Sequence, residues 1–428
     1  MTKTSEYKPR IADQLLRDQL EATGVVLIQG PKWCGKTTTA EQAAKSVVYM
    51  DDPVKRGQYK ILSETSPMSL LQGQAPHLVD EWQIAPNLWD VARFDVSHRR
   101  LVGQYIFTGS AVPPDKSKIQ HTGTGRFAWL TMRPMSLWES NDSNGSISLA
   151  KLFKGEATSG IPAIEKSLEE ISFLICRGGW PGALQLTAQA SLLQARNYLD
   201  AIAHQDISRV DGVNRNTELT YRLLRSYARH QGQQAPITTL SADLKGNDDT
   251  SVSNETIATY ISALKEIFVI EDMPAWNPNL RSKTAIRTSD NRYFVDPSIA
   301  AAALGVGPND LMNDLNTLGL LFETMCVRDL RIYADALDGK LYHYRDKNGL
   351  ECDAVMHLRN GSYGLIEIKL GGEKLIEEGT VTLNKLANKI DTTKMKQPSF
   401  RMVLTGVGAF AYQRKDGTWV VPISCLKP

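Results

Sequence analysis

The sequence lacks the features that announce several common protein classes. Its 428 residues include five cysteines (Cys34, Cys176, Cys326, Cys352, Cys425) and no Cys-x-x-Cys spacing. That excludes zinc ribbons and a disulfide framework. No run of about eighteen apolar residues occurs, so no membrane-spanning helix is expected. Met1 to Tyr7 lack the apolar stretch of a signal peptide, and a reducing cytoplasm is the expected location. Neither sign of charge is in excess: 49 Lys+Arg against 47 Asp+Glu leaves +2, so any surface for nucleic acid has to be local. There is no internal repeat and no long low-complexity segment. What is present, 42% hydrophobic and 22% charged residues, is the balance of a globular protein with several cores.

Against this background one stretch stands out, Gly30-Pro31-Lys32-Trp33-Cys34-Gly35-Lys36-Thr37. It is a glycine, four free positions and Gly-Lys-Thr, the pattern of a phosphate-binding loop. Gly24 to Gln29 before it reads as a buried strand, and Thr38 to Lys45 after it as a helix. That order turns backbone N–H groups and the positive helix end toward phosphates. Gly30 through Thr38 are expected to hold ATP, with Lys36 on the β and γ phosphates and Thr37 on Mg²⁺. Leu78-Val79-Asp80-Glu81 ends a later apolar strand. Asp80 is placed to hold the Mg²⁺ hydration shell and Glu81 to polarise the attacking water. Ile106-Phe107-Thr108-Gly109-Ser110 ends another strand, where Thr108 or Ser110 is positioned to sense the γ phosphate. Val47 to Met50, His77 to Val79 and Gln104 to Thr108 alternate with helical stretches. That alternation predicts a parallel sheet covered by helices.

A second constellation lies near the C-terminus. A helix from Leu318 to Ala334 precedes strands at Lys340–Tyr344, Glu351–Leu358 and Gly364–Leu370. Glu367 and Lys369 are two apart, so they share one strand face. Asp353 on the partner strand and Glu367 are placed to bind Mg²⁺, with Lys369 orienting the water. Register decides whether they meet. A two-residue turn at Asn360-Gly361 opposes Asp353 to Ile368 and turns it away. A three-residue turn from Asn360 to Ser362 opposes it to Lys369 and gathers all three. The Asp…Glu-x-Lys pattern resembles the PD-(D/E)xK nuclease fold, and Glu323 resembles the extra acid such folds place beside the metal.

The phosphate loop, the Asp80-Glu81-Trp82-Gln83 block, Thr108-Gly109-Ser110, and Gly125-Arg126 leading to Arg133-Pro134-Met135-Ser136-Leu137-Trp138-Glu139 together resemble prokaryotic AAA+ ATPases with a long C-terminal extension. Gly178-Gly179-Trp180-Pro181 resembles that family's turn in the lid. The resemblance implies an α/β fold: a P-loop AAA+ three-layer sandwich with a helical lid, a winged helix and a C-terminal restriction-endonuclease-like domain. The corresponding boundaries are 1–145, 146–216, 217–310 and 311–428. It also implies an ATPase that assembles as a homo-oligomer, with Arg126 reaching a neighbour's nucleotide as a finger in trans and Arg133 as a second candidate. DNA is an expected partner through Arg222, Arg225, Arg229, His230, Lys265, Arg281, Lys283 and Arg287. Two other readings share these motifs: an ATP-gated, Mg²⁺-dependent nuclease, and a nucleotide-dependent protein-interaction switch with an inactive nuclease fold.

Overall fold

The computed structural model describes residues 7–109, 122–245, 252–278 and 288–428. The chain forms two compact units. Met1–Pro134, His204–Arg215 and Ser262–Val269 make the first; Met135–Ala203, Asn216–Ile261 and Ile270–Pro428 make the second.

The first unit runs α1 (Ile11–Ala22), β1 (Val25–Gln29), α2 (Lys36–Ala43), β2 (Ser46–Tyr49), α3 (Arg56–Thr65), β3 (His77–Asp80), α4 (Leu88–Arg99), β4 (Tyr105–Gly109) and β5 (Phe127–Thr131). Its five strands lie in the order β2-β3-β4-β1-β5, and all neighbours are parallel. The continuous apolar runs in β1, β3 and β4 are what a sheet buried on both faces needs. On one face Val25 and Leu27 pack with Val79, Trp82, Trp89, Phe107 and Phe127. On the other, Val26 and Ile28 pack with Leu16, Leu20, Ala40 and Ile106.

The second unit opens with β6 (Ile147–Ser148), α5 (Leu149–Lys154), β7 (Ile161–Pro162), α6 (Leu168–Arg177) and α7 (Ala188–Ala201). A capping box starts α6: Ser167 Oγ accepts the Glu170 N–H while Glu170 Oε2 accepts the Ser167 N–H. A π-helical turn (Ile202–Asp206) and α8 (Ile207–Arg209) follow, the chain belonging to the first unit from His204 to Arg215. Back in the second unit come α9 (Thr217–Arg229), α10 (Ile237–Asp243) and α11 (Asn254–Glu266), whose residues from Ser262 belong to the first unit. Ser253 Oγ accepts the Thr256 N–H ahead of α11. Antiparallel bridges pair Ile270 with Phe294 and Met273 with Asn291.

After α12 (Pro297–Leu304), α13 (Pro308–Asn313) and α14 (Leu315–Ala336), the chain builds a sheet from β8 (Gly339–Arg345), β9 (Glu351–Leu358), β10 (Tyr363–Lys369), β11 (Phe400–Thr405), β12 (Phe410–Gln413) and β13 (Trp419–Pro422), with α15 (Glu373–Lys389) crossing from β10 to β11. The strand order is β7-β12-β13-β11-β10-β9-β8. Leu383, Leu386 and Ala387 of α15 pack on Leu365, Val403 and Val420. The closing strand β14 (Leu426–Lys427) pairs with β6, and β7 pairs with β12. Residues 147–162 thus join the C-terminal strands, a pairing that two-residue strands do not advertise in sequence. Among the described residues no helix is long and apolar enough to cross a membrane.

A buried polar hub fixes the second unit. The Arg328 guanidinium on α14 is fully buried; it bonds Asp296 Oδ2 at 2.9 Å and Asp329 Oδ1 at 2.8 Å. Asp296 also accepts the Gly179 N–H, and Asp329 the Leu137 N–H. Met135 N–H donates to Gly179 O at 2.6 Å, and a side chain at 179 would start 2.2 Å from Met135 O. The Gly178-Gly179-Trp180-Pro181 turn and the Met135–Leu137 segment are therefore held by the same two aspartates.

Candidate functional site

In the first unit, β1 delivers the chain to the loop and α2 receives it. Gly30 (φ +150°) passes so close to the neighbouring backbone that a Cβ would lie 2.0 Å from Met132 O. Gly35 (φ +97°) makes the left-handed step into α2. The Thr39 N–H is bonded to Gly35 O, so the N–H groups of Lys36, Thr37 and Thr38 have no carbonyl inside the helix and face outward from its start. Lys36 is buried, and its Nζ lies 3.0 Å from Gly30 O and 2.8 Å from Pro31 O, inside the curve of the loop. Cys34 is fully buried in the core; its carbonyl accepts Arg10 Nη1 at 2.8 Å. Trp33 (φ +65°) is half exposed on the rim, and Lys32 Nζ lies 2.6 Å from Asp206 Oδ1.

The acids arrive by register. Ile28 is level with Thr108 on β4, and Thr108 with Asp80 on β3. Asp80 Oδ1 accepts the Thr37 hydroxyl at 2.8 Å and also the Thr108 hydroxyl. The Thr37 hydroxyl and Asp80 carboxylate converge on one point, as an oxygen-coordinated Mg²⁺ requires. Bound there, the ion would neutralise charge on the transferred phosphoryl group. Thr108 is buried and its hydroxyl donates to Asp80, which it helps to position. Glu81 has φ +54°, uncommon for a side-chain-bearing residue, and its Oε2 accepts the Gln83 amide. Burial raises the pKa of Asp80, and burial together with the Asp80 charge raises that of Glu81. Gln83 and Thr108, both within the motifs read from sequence, touch the two acids through contacts that depend on strand order.

In the second unit, β9 and β10 are joined by a three-residue turn, Arg359-Asn360-Gly361, closed by Leu358 N–H to Ser362 O at 2.8 Å. Leu365 pairs with Val355 and Ile366 with Ala354. Continuing that register sets Asp353 across from Glu367, not Lys369. The turn starts one residue earlier than expected, which moves the pairing two residues along the same face. The three side chains still gather. Lys369 Nζ lies 2.8 Å from Glu367 Oε2 and 3.2 Å from Asp353 Oδ2, which also accepts the Ile368 N–H. Glu323 on α14 accepts the Tyr293 hydroxyl. Burial, then the Asp353 charge, pushes the Glu323 and Glu367 carboxyls above the usual carboxylate range. Burial alone would lower Lys369, but the charges of Asp353 and Glu367 outweigh it and hold its pKa high. The cluster borders a cleft of about 640 Å³ lined by His230, Gln233, Asn291, Glu323, Arg345 and Asp353, among others. The oxygen donors suit Mg²⁺ in kind but not in placement. Among the described residues no three His, Cys, Asp or Glu are arranged to hold a metal, and the Lys369 ammonium lies between two of the acids.

Residues 22–141 match a family model described as an AAA domain. That stretch is similar to P-loop ATPase domains. The parallel sheet and the loop between β1 and α2 agree with that match. Residues 168–310 and 318–426 match two domains of unknown function, DUF8612 and DUF4143. No curated protein matches the sequence. Among solved structures, the Walker-type ATPase PABY2304 of Pyrococcus abyssi is 15% identical, with a TM-score of 0.42, covering 71% of this chain and 97% of that one. A DNA replication initiation factor is 17% identical (TM-score 0.19; 60% and 86% covered). The Hef helicase domain of Pyrococcus furiosus is 11% identical (TM-score 0.21; 96% and 90%). TM-scores below 0.5 are too low to carry fold or function across.

In the first unit, Arg126 precedes β5, whose Phe127 is level with Val25 at the start of β1. It is exposed, and its Nε donates to Ser97 Oγ at 3.0 Å. Its own phosphate loop is at the other end of the parallel strands, roughly 13 Å along β1. Arg133, two residues past the Gln29–Thr131 pair, lies at the loop end. Ser110, Arg281, Lys283 and Arg287 lie outside the described residues. Of the other basic residues, Arg229 and His230 pair with Asp243, and Arg222 bonds Leu244 O. Part of that positive charge is therefore neutralised within the protein.

Proposed function

We propose that the chain binds and hydrolyses ATP at the loop–acid site and uses turnover to act on or near DNA through its other regions. The observation that carries the reading is the Thr37–Asp80 contact, set by register, in a domain of AAA type. Lys36 binds the phosphate tail, Thr37 and Asp80 hold Mg²⁺, and Glu81 takes the proton of the attacking water. Residues 146–216 serve as the helical lid. Residues 217–310 are read as a winged-helix-like region, supported by three helices followed by the antiparallel bridges at 270–294. Residues 311–428 are read as nuclease-like, supported by the mixed sheet with Asp353, Glu367 and Lys369 on one face. The exposed Arg126, remote from its own loop, supports a finger that acts across a homo-oligomer. Mass measurement with a slowly hydrolysed ATP analogue tests this: assembly that Arg126→Ala leaves intact while turnover falls at least about a hundredfold is the expected result. A monomer under all conditions rules the finger out.

The gathering of the C-terminal acids favours a second reading, in which ATP gates phosphodiester cleavage. A metal there would draw Lys369 off at least one carboxylate. Supercoiled plasmid with Mg²⁺ or Mn²⁺ is the assay. Nicking that disappears in Asp353→Ala and in Lys369→Ala, with ATPase rates unchanged, is the expected outcome of this reading. Absence of nicking with either metal removes it.

A further inference from the structure

One contact at the phosphate loop is explained by neither the loop motif nor the acid pair. Lys32, at the second free position of the loop, is ion-paired to Asp206 at 2.6 Å. Asp206 is 7% exposed, whereas the Lys32 side chain is 43% exposed. A carboxylate withdrawn from water is costly to keep charged unless a cation pairs with it. Lys32 is the cation the structure supplies. Asp206 is set in place by its backbone: it closes the π-helical turn Ile202–Asp206, a rare geometry that concentrates at functional sites. The segment after it is braced from within, because Arg215 Nη1 donates to Ile207 O at 2.7 Å and to Asp211 Oδ1 at 2.8 Å.

We propose that Asp206 is a positioning residue of the nucleotide site that acts through Lys32. The carboxylate competes with the nucleotide's phosphates for the Lys32 ammonium, so binding has to draw the ammonium off Asp206. This inference rests on the ATPase reading. The competition has a signature that two independent charges lack: removing Lys32 costs little affinity while Asp206 holds it, and more once Asp206 is neutral.

The test is a double-mutant cycle on the full chain, read by titration with a fluorescent ATP analogue and by KM and kcat. Asp206→Asn is expected to tighten binding about three- to tenfold, with the change in KM and not in kcat. Lys32→Ala is expected to weaken binding about threefold in the parent and at least about tenfold in the Asp206→Asn background. Asp206→Ser, a smaller neutral replacement, is measured in parallel so that one folding failure does not decide the matter. Equal penalties for Lys32→Ala in both backgrounds, or weaker binding in both neutral Asp206 variants, would overturn the proposal. Lys36→Ala separates the two levels. If it binds the analogue like the parent, the ATPase reading itself fails. If it abolishes binding while the Lys32 penalties are equal, only the role of Asp206 fails.

Discussion

Lys36→Ala is expected to abolish nucleotide binding, and Glu81→Gln to keep binding while stopping turnover. The Lys36 ammonium is buried and held by two carbonyls of its own loop, so it is already poised over the position the phosphate tail takes. A charge-assisted contact of this kind contributes about 3 kcal/mol, more than a hundredfold in affinity. Glu81 is a different case. Glutamine keeps the shape and the hydrogen-bonding capacity toward Gln83 but cannot accept a proton. The expected loss in kcat is about 10² to 10⁴ with the nucleotide dissociation constant within a few-fold. The same residue sets the acid limb of the rate profile. In the proposed mechanism Glu81 works as a carboxylate, and burial and Asp80 raise its pKa. Activity in the parent should therefore rise with pH through a midpoint above that of an ordinary glutamate, and fall as pH drops through it. If both variants hydrolyse ATP at the parent rate, the site assignment is wrong.

The second large effect concerns stability. Arg328→Leu leaves Asp296 and Asp329 buried with no cation between them. Breaking a buried pair in this way costs about 3–5 kcal/mol. Asp329 is already pushed up to about 6 by burial, against the opposing charge of Arg328. Without that guanidinium it should take up a proton on folding at neutral pH. Because Asp296 and Asp329 also hold Gly179 and Leu137, the loss should spread to the Gly178–Pro181 turn. Hydrogen exchange followed by mass spectrometry is the measurement: peptides from α14 and from 178–185 should lose protection together, while those of β1 and β4 keep theirs. Arg328→Lys keeps the charge but not the planar fork, and an intermediate loss is expected. Unchanged exchange in α14 for Arg328→Leu would show that the network carries no net stability.

Much of this protein was legible before any fold was known, and the limits of that legibility have physical causes. The loop is local: Gly30 and Gly35 meet backbone demands within eight residues, and the strand before and helix after follow from a short apolar run and its sequel. The acid pair is nearly local, because a strand end followed by Asp80-Glu81 needs only the parallel sheet to bring it near Thr37. The β9–β10 turn shows where such reasoning stops. The requirement of an odd-length turn came from the period of two along a strand, and the turn is odd. Which odd turn forms depends on the closure at Leu358 and Ser362, and it set Asp353 opposite Glu367. The stripe of Ile257, Ile261 and Leu264 marks the buried side of the helix at 254–266, and Phe268 lies past its end with φ +58°.

By itself, then, the sequence determined the chemistry that short spacing can encode: a phosphate loop on a strand–helix junction, an acid pair at a later strand end, and Glu367 and Lys369 sharing one strand face. Tertiary structure alone decided what long-range pairing controls. It tied Thr108 and Gln83 to the two acids, set Asp206 against Lys32 across 174 residues of chain, joined residues 147–162 to the C-terminal strands, and buried Arg328 between two aspartates. The physical reason is the same in each case. Backbone periodicity fixes neighbours two to four residues apart, whereas contacts across the chain are chosen by which faces can be buried together, and no local pattern records that choice.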